Sequence, residues 1–382
     1  MIPYGRQEIS DEDIEAVVRV LRSDYLTQGP AVPAFEAAVA SSCNAAFGVA
    51  VNSATSALHI ACMALDLGRG DWLWTVPNTF VASANVGLYC GADVSFVDTD
   101  PQTYMMCPDA LAEKLAAAER AGTLPKVLIP VHFAGQSPAM DRIGALAKQY
   151  GVRIIEDASH AIGAAYQGQP VGDCTHSDIT VFSFHPVKIV TTAEGGLATT
   201  QDPELARRME LYRSHGVTRD PASLTGEELD GPWAYEQVAL GYNYRMTELQ
   251  AALGCSQMTR LAEFVERRNQ LATRYDRLLT DLPLTCPAQS ANAYSAFHLY
   301  PIQVDNRAVV FAALRAAGIG VNVHYIPVHT QAYWRNRGFN WGDYPNAESY
   351  YKRAISIPLY FGLTDQDQDQ VVSSLSAALN VI

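Results

Sequence analysis

Seven short apolar runs punctuate the first two thirds of the chain, at residues 46–51, 72–76, 93–97, 127–131, 153–156, 179–182 and 196–199. Amphipathic stretches lie between them, including residues 56–67, 109–121 and 140–150. Strand-length apolar segments that alternate with helix-length amphipathic ones can bury their faces in a layered α/β arrangement, with helices packed on a mostly parallel sheet. A seven-stranded sheet is therefore expected.

The pattern changes after residue 217. Residues 218–233 are polar and rich in Gly and Pro and read as a mobile excursion, and residues 247–279 read as one or two long helices. Beyond them a separate strand–helix mix follows, at 298–304, 308–317 and 321–325. Two domains are expected, which suits 382 residues at roughly 150 per domain. Residues 1–255 form an N-terminal arm and a large domain, and residues 256–382 a smaller C-terminal α/β domain with its connecting helix.

Charge narrows the partners. With 27 basic and 40 acidic residues the net charge is −13, which disfavours nucleic acid or an anionic membrane as the main partner. No apolar run approaches the ~20 residues that span a bilayer, and no secretory signal is evident at the N-terminus. Seven cysteines, widely spaced and without a CxxC, read as reduced thiols of a cytoplasmic protein, with no disulfide framework and no zinc knuckle.

Lysine is scarce. Lys114, Lys126, Lys148 and Lys352 have plain surface explanations, but Lys188 follows the apolar run Ile179–Phe182 through Ser183-Phe-His-Pro-Val. A lysine held among apolar groups loses hydration of its ammonium form, so a nucleophilic neutral amine becomes available for Schiff-base chemistry. The plain alternative is an exposed lysine at a strand end. Asp157 ends another apolar run, where a carboxylate beyond a parallel strand can keep a pyridinium nitrogen protonated; a helix cap would use it as well. Thr55 and Ser56 open a helix after the first strand, a place suited to phosphate. Phe80 also follows a strand and can stack on a ring.

Absent motifs also constrain the chemistry. There is no GxGxxG after a strand, no GxxxxGK[ST], no HExxH and no G-x-S-x-G. His324 and His329 lack a third ligand at metal-site spacing, so no metal is expected.

Taken in order, Asn52-Ser-Ala-Thr-Ser56, Glu156-Asp-Ala-Ser-His160, Ser183-Phe-His-Pro-Val-Lys188, Thr191-Thr-Ala-Glu-Gly-Gly196 and Gly241-Tyr-Asn-Tyr-Arg-Met246 make the chain similar to the pyridoxal-phosphate (PLP)-dependent nucleotide-sugar aminotransferases of the DegT/DnrJ/EryC1/StrS family. The resemblance implies a fold-type I, aspartate-aminotransferase-like architecture and a homodimer with active sites shared between subunits. It makes Lys188 the catalytic Schiff-base lysine and general acid/base, and Asp157 the partner of the pyridine nitrogen. Thr55, Ser56 and Ser183 would bind the cofactor phosphate, with Asn243 reaching it from the neighbouring subunit. Phe80 would stack on the ring and His160 lie near its hydroxyl. Because Lys188 is present, a transaminase is implied over the related sugar dehydratases.

Within the family, the Ser183–Lys188 and Thr191–Gly196 forms resemble the branch that aminates C4 of 4-keto-6-deoxy sugars. Tyr4, the run Asp24, Tyr25, Leu26, Thr27, and the run Asn322, Val323, His324, Tyr325 resemble the members acting in pseudaminic acid biosynthesis, where these segments and His185 contact the sugar nucleotide. That branch uses L-glutamate to make UDP-4-amino-4,6-dideoxy-N-acetyl-β-L-altrosamine from a UDP-linked 4-keto-6-deoxy amino sugar. Another 4-keto-6-deoxy nucleotide sugar is the alternative substrate.

Overall fold

A computed structural model describes residues 1–220, 224, 231 and 233–379. Most of the expected excursion at 218–233 lies outside the described residues. All seven apolar runs are strands of one sheet: β1 (Phe47–Val51), β2 (Trp72–Thr75), β3 (Asp93–Phe96), β4 (Val127–Ile129), β5 (Arg153–Asp157), β6 (Ile179–Ser183) and β7 (Gly196–Thr200). Their order is β1-β7-β6-β5-β4-β2-β3. Only β7 runs against its neighbours; the other pairings are parallel.

Alternation along each strand explains why these runs are continuously apolar. Val49, Leu73, Val127, Ile155, Val181 and Ala198 point to one face, into a core shared with α3 (Ala54–Ala64), α4 (Ala82–Tyr89) and α7 (Pro203–Arg213). The intervening residues point to the other face. Trp74, Leu128 and Ile154 meet α5 (Pro108–Ala121) and α6 (Met140–Tyr150) there. On the same side Ala50, Phe182 and Leu197 meet α2 (Ala31–Ser42) and α8 (Glu248–Met258). A strand covered on both faces has no solvent side to make polar. Each large side chain buried this way contributes about 1.5–3 kcal/mol.

The 247–279 stretch forms two helices, α8 and α9 (Leu261–Leu278). Helix α9 spans two cores: Phe264 and Val265 pack with the large sheet's helices, while Leu271, Ala272 and Tyr275 pack into a second cluster. That cluster also holds β8 (Tyr300–Gln303) and β9 (Ala354–Ile357), an antiparallel pair, and α10 (Arg307–Ala316). Residues 321–325, read as a strand, carry only an isolated bridge between Asn322 and Ser356. The segment's backbone is fastened by side chains instead, as described below, and β9 is a strand that the sequence did not announce.

The N-terminal arm lies on this second cluster. Ile2 donates to the Gly318 carbonyl and accepts from the Gly320 N–H, which fixes the approach of Tyr4 to the large sheet. Among the described residues, no helix is long and apolar enough to cross a membrane. All seven cysteines are free.

Candidate active site

The carboxyl ends of the parallel strands open onto a cavity of about 450 Å³. It lies where the chain reverses its direction of travel across the sheet, between β2 and β4, the usual ligand position in open α/β sheets.

Helix α3 begins at this cavity. Ser53 caps it, its hydroxyl accepting from the Ser56 N–H at 3.2 Å. The first-turn N–H groups of Ala54 and Thr55, beyond reach of any helix carbonyl, border the cavity together with Ser53. Gly196 permits this arrangement. A Cβ there would sit 2.4 Å from both the Ala54 nitrogen and the Ser53 carbonyl carbon, so β7 could not approach the helix start with any larger residue. Ser183, at the end of β6, lines the same corner.

Asp157 ends β5 and is buried. Its Oδ2 accepts from the Ser83 hydroxyl at 2.6 Å, and its Oδ1 from the Ser159 hydroxyl at 2.6 Å and the Ser159 N–H at 3.2 Å. Lys188 faces it across the cavity, where loss of hydration lowers the ammonium to about 8 although the Asp157 charge opposes this. Phe80 borders the cavity with 60% of its surface exposed, so this aromatic ring is not a core residue.

Two histidines have their tautomers set by neighbours. The Ala134 N–H donates to His160 Nδ1 at 3.3 Å, so neutral His160 carries its proton on Nε2 and donates it to the Tyr325 hydroxyl at 3.0 Å. That leaves the Tyr325 proton without an acceptor among the described residues. Val323 N–H donates to Asn322 Oδ1, which turns the Asn322 amide nitrogen toward His324 Nε2 at 3.3 Å. His324 therefore carries its proton on Nδ1 and donates to Ser356 at 2.8 Å. Burial, with the Lys188 charge, pushes His160 well below the ordinary histidine range and His324 down to about 3. Burial also pushes the Tyr325 phenol up, so it keeps its proton.

The cavity thus gathers Lys188, Asp157, His160, Thr55, Phe80, Ser183 and His185, and on its other side Tyr4, Asn322, Val323, His324 and Tyr325. The remaining expected site residues lie elsewhere. Ser56 is buried behind the lining, its hydroxyl donating to Asn52 Oδ1 at 2.7 Å. Asp24, Tyr25, Leu26 and Thr27 are exposed and do not line this chain's cavity, and the Leu26 carbonyl accepts from the Glu248 N–H. Asn243 is also exposed and away from it, bridged to Ser214. His329 pairs with Glu348 at 3.0 Å, and among the described residues no group could hold a metal ion.

Sequence reasoning missed His298, Ser159 and Ser53 as cavity residues. The capping position of Ser53 was a usable signal. His298 had none, because it stands at the edge of an apolar run with no motif around it.

A model of the DegT/DnrJ/EryC1/StrS aminotransferase family matches residues 7–376. The spore coat polysaccharide biosynthesis protein SpsC of Bacillus subtilis is 38% identical over 98% of this chain and 96% of its own. Helicobacter pylori PseC, an aminotransferase involved in the biosynthesis of pseudoaminic acid, superposes with a TM-score of 0.91 at 30% identity, covering all of both chains. Spr1654 from Streptococcus pneumoniae, in its PLP form, superposes at 0.90 and 30% identity over 100% of this chain and 99% of its own.

Proposed function

The chain belongs to the DegT/DnrJ/EryC1/StrS aminotransferase family and is a PLP-dependent sugar aminotransferase, and on that premise we propose that it moves the amino group of L-glutamate to C4 of a UDP-linked 4-keto-6-deoxy-N-acetylhexosamine. The product is UDP-4-amino-4,6-dideoxy-N-acetyl-β-L-altrosamine, as in pseudaminic acid biosynthesis. The observation that carries the reading is the placement of Lys188 opposite Asp157, with the lysine's proton affinity lowered to about 8 by burial. The likeness to PseC supports the sugar.

The donor set fits the cofactor. The start of α3, with the free N–H groups of Ala54 and Thr55 and the hydroxyls of Ser53, Thr55 and Ser183, suits a phosphate dianion. Asp157 is held by two serines and stands ready for a protonated ring nitrogen. Exposed Phe80 offers a stacking face. Ser56 acts from behind, through Asn52 and Ser53.

PLP supplies the electron sink that stabilises a carbanion at the carbon losing its proton. This chain supplies the rest. Lys188 takes the proton from Cα of the amino donor and later delivers one to C4 of the sugar, a single base serving both directions. Asp157 keeps the pyridine nitrogen protonated throughout. His160 and His324 stay neutral beside it, so neither competes with Lys188 for the transferred proton. Asn243 and the 24–27 segment serve the neighbouring subunit's site in a homodimer.

The higher identity to SpsC favours a second reading, in which the acceptor is another 4-keto-6-deoxy nucleotide sugar destined for a polysaccharide. A panel of UDP-, dTDP- and GDP-linked 4-keto sugars incubated with L-glutamate separates the two. Product mass and NMR should show the 4-amino altrosamine formed with the highest kcat/KM. Faster amination of a dTDP- or GDP-linked sugar would reject the first reading for the second.

A further inference from the structure

His298 is the cavity histidine that neither the motifs nor the mechanism uses. It is 5% exposed and its ring lies 4.4 Å from that of His160. Unlike those of His160 and His324, its ring has no hydrogen-bond partner among the described residues: Nδ1 is buried without one, and Nε2 is the nitrogen left facing the cavity space that the residue lines. A buried N–H without an acceptor is the costlier orphan, so the neutral ring carries its proton on Nε2.

Arg268 lies directly behind it. The guanidinium is 2% exposed, and its Nη1 donates to the carbonyls of Phe297, His298 and Leu359 at 3.2, 3.4 and 3.0 Å. Its Nε has no partner, and among the described residues no carboxylate pairs with it. Buried charges in proteins are ordinarily paired. The charged groups that act most strongly on His298 are both basic, Lys188 and Arg268, while the neighbouring rings of His160 and His324 are neutral. The corner thus sets two basic side chains beside a neutral N–H donor, and the cavity's carboxylates, Asp157 and Glu194, are not among the groups that act most strongly on it.

We infer that His298 Nε2–H, with the unpaired Arg268 charge behind it, is the carboxylate subsite for the amino donor. This rests on the aminotransferase reading and names where its donor is held. A carboxylate of the amino acid would accept from His298 and supply the counter-charge that Arg268 lacks. The keto-sugar ring of the acceptor, entering along Tyr4 and Asn322–Tyr325, carries no carboxylate for this corner to hold, and its charge lies on the distant diphosphate. Donor and acceptor then share Lys188 but are selected by different corners of one cavity.

Calorimetric titration of the PLP-loaded enzyme with glutarate, an unreactive dicarboxylate, tests this directly. His298→Gln places an amide nitrogen close to the position of Nε2, whereas His298→Asn reaches only as far as Nδ1. Both are small and polar, so the pair separates hydrogen bonding from packing, and melting temperatures confirm the fold. Loss of a hydrogen bond to a charged group costs about tenfold or more in affinity. His298→Asn should therefore weaken glutarate at least ~10-fold and raise KM for L-glutamate without raising KM for the keto sugar. His298→Gln should stay within ~3-fold of wild type, since the donor is retained. Glutarate binding equal in His298→Asn and wild type, or no glutarate binding by wild type, overturns the subsite. The transaminase reading is judged separately, by whether L-glutamate bleaches the visible band of the wild-type cofactor.

Discussion

The two walls of the cavity hold their polar groups by different means. On the sheet wall each group is addressed by a strand end or a helix start: Thr55 after β1, Phe80 after β2, Asp157 at the end of β5, Ser183 at the end of β6 and Lys188 beyond it. The ladder of the sheet fixes where these residues stand, and local hydroxyls finish the job, as Ser83 and Ser159 do for Asp157. The opposite wall, Tyr4, His298 and residues 322–325, has almost no ladder. It is tied by long-range side-chain bonds: His324 to Ser356, the Tyr325 N–H to Asn78, the Tyr350 hydroxyl to the His324 carbonyl, and Arg268 to the 297–298 carbonyls. A change on the sheet wall should delete chemistry and spare geometry. A change on the other wall should move recognition.

The largest effect tests the sheet wall. Lys188→Ala removes the one proton carrier, and turnover should fall at least ~10³-fold with the fold intact by circular dichroism. Activity within tenfold of wild type would sink the assignment. The same variant examines Asn243, which lines neither wall of its own chain. A bulky acidic substitution at Asn243 should also inactivate the homodimer. Mixing the two under verified subunit exchange should restore roughly a quarter of wild-type activity, because half of the dimers in an equal mixture are hybrids with one intact site. No recovery would reject sharing between subunits while leaving the transaminase untouched.

Asp157→Asn is the next test. Both serine hydroxyls can reorient to an amide, so stability should change little, yet the neutral group cannot hold a protonated ring nitrogen. A loss of about 10²-fold in kcat is expected, by comparison with removal of a single electrostatic group from an active site. Near-normal turnover would reduce Asp157 to a fastener of the Ala158–His160 turn.

Tyr325→Phe probes the other wall. It strips a hydroxyl whose proton has no acceptor among the described residues and leaves His160 Nε2–H without its partner. A single neutral hydrogen bond lost to substrate amounts to about tenfold, and it should be seen in KM for the sugar nucleotide more than in kcat. An effect confined to kcat would move Tyr325 from recognition to the chemistry and erase the contrast between the walls.

The same contrast governs how much was legible in the sequence. The sheet wall was readable because strands buried on both faces must be apolar throughout, so each site residue stood at a visible boundary; β5 begins and ends within one residue of its apolar run. The other wall was not. The Asn322–Tyr325 segment has the composition of a strand, but its position is set by Asn78 and Ser356, far away in sequence, and no local pattern reports them. His298 stayed hidden because what distinguishes it is the absence of a partner, and an absence leaves no mark on the chain. Family resemblance supplied Tyr4 and His324, which periodicity could not.

The smallest effect is a stability difference that follows from the sign of one titration. In the cofactor-free protein burial lowers the Lys188 ammonium to about 8, whereas in the unfolded chain it lies near ~10.4. Below about pH 8 both states are protonated and the folded state bears the cost of a dehydrated charge. Between those values the folded chain has released the proton and the unfolded chain still holds it, so stability rises with pH through that window. Lys188→Met has no such group. The variant should melt above wild type at pH 7, and the gap should close as the pH approaches 10. Lys114, also lowered to about 8 by burial, titrates alike in both proteins and cancels. His298→Gln should show no such closing gap, because burial holds that imidazole neutral at both ends of the window. A wild-type-to-Met difference that stays flat from pH 7 to 10 would mean that Lys188 is hydrated in the free enzyme. The sheet wall would then lack the lowered amine on which its chemistry depends.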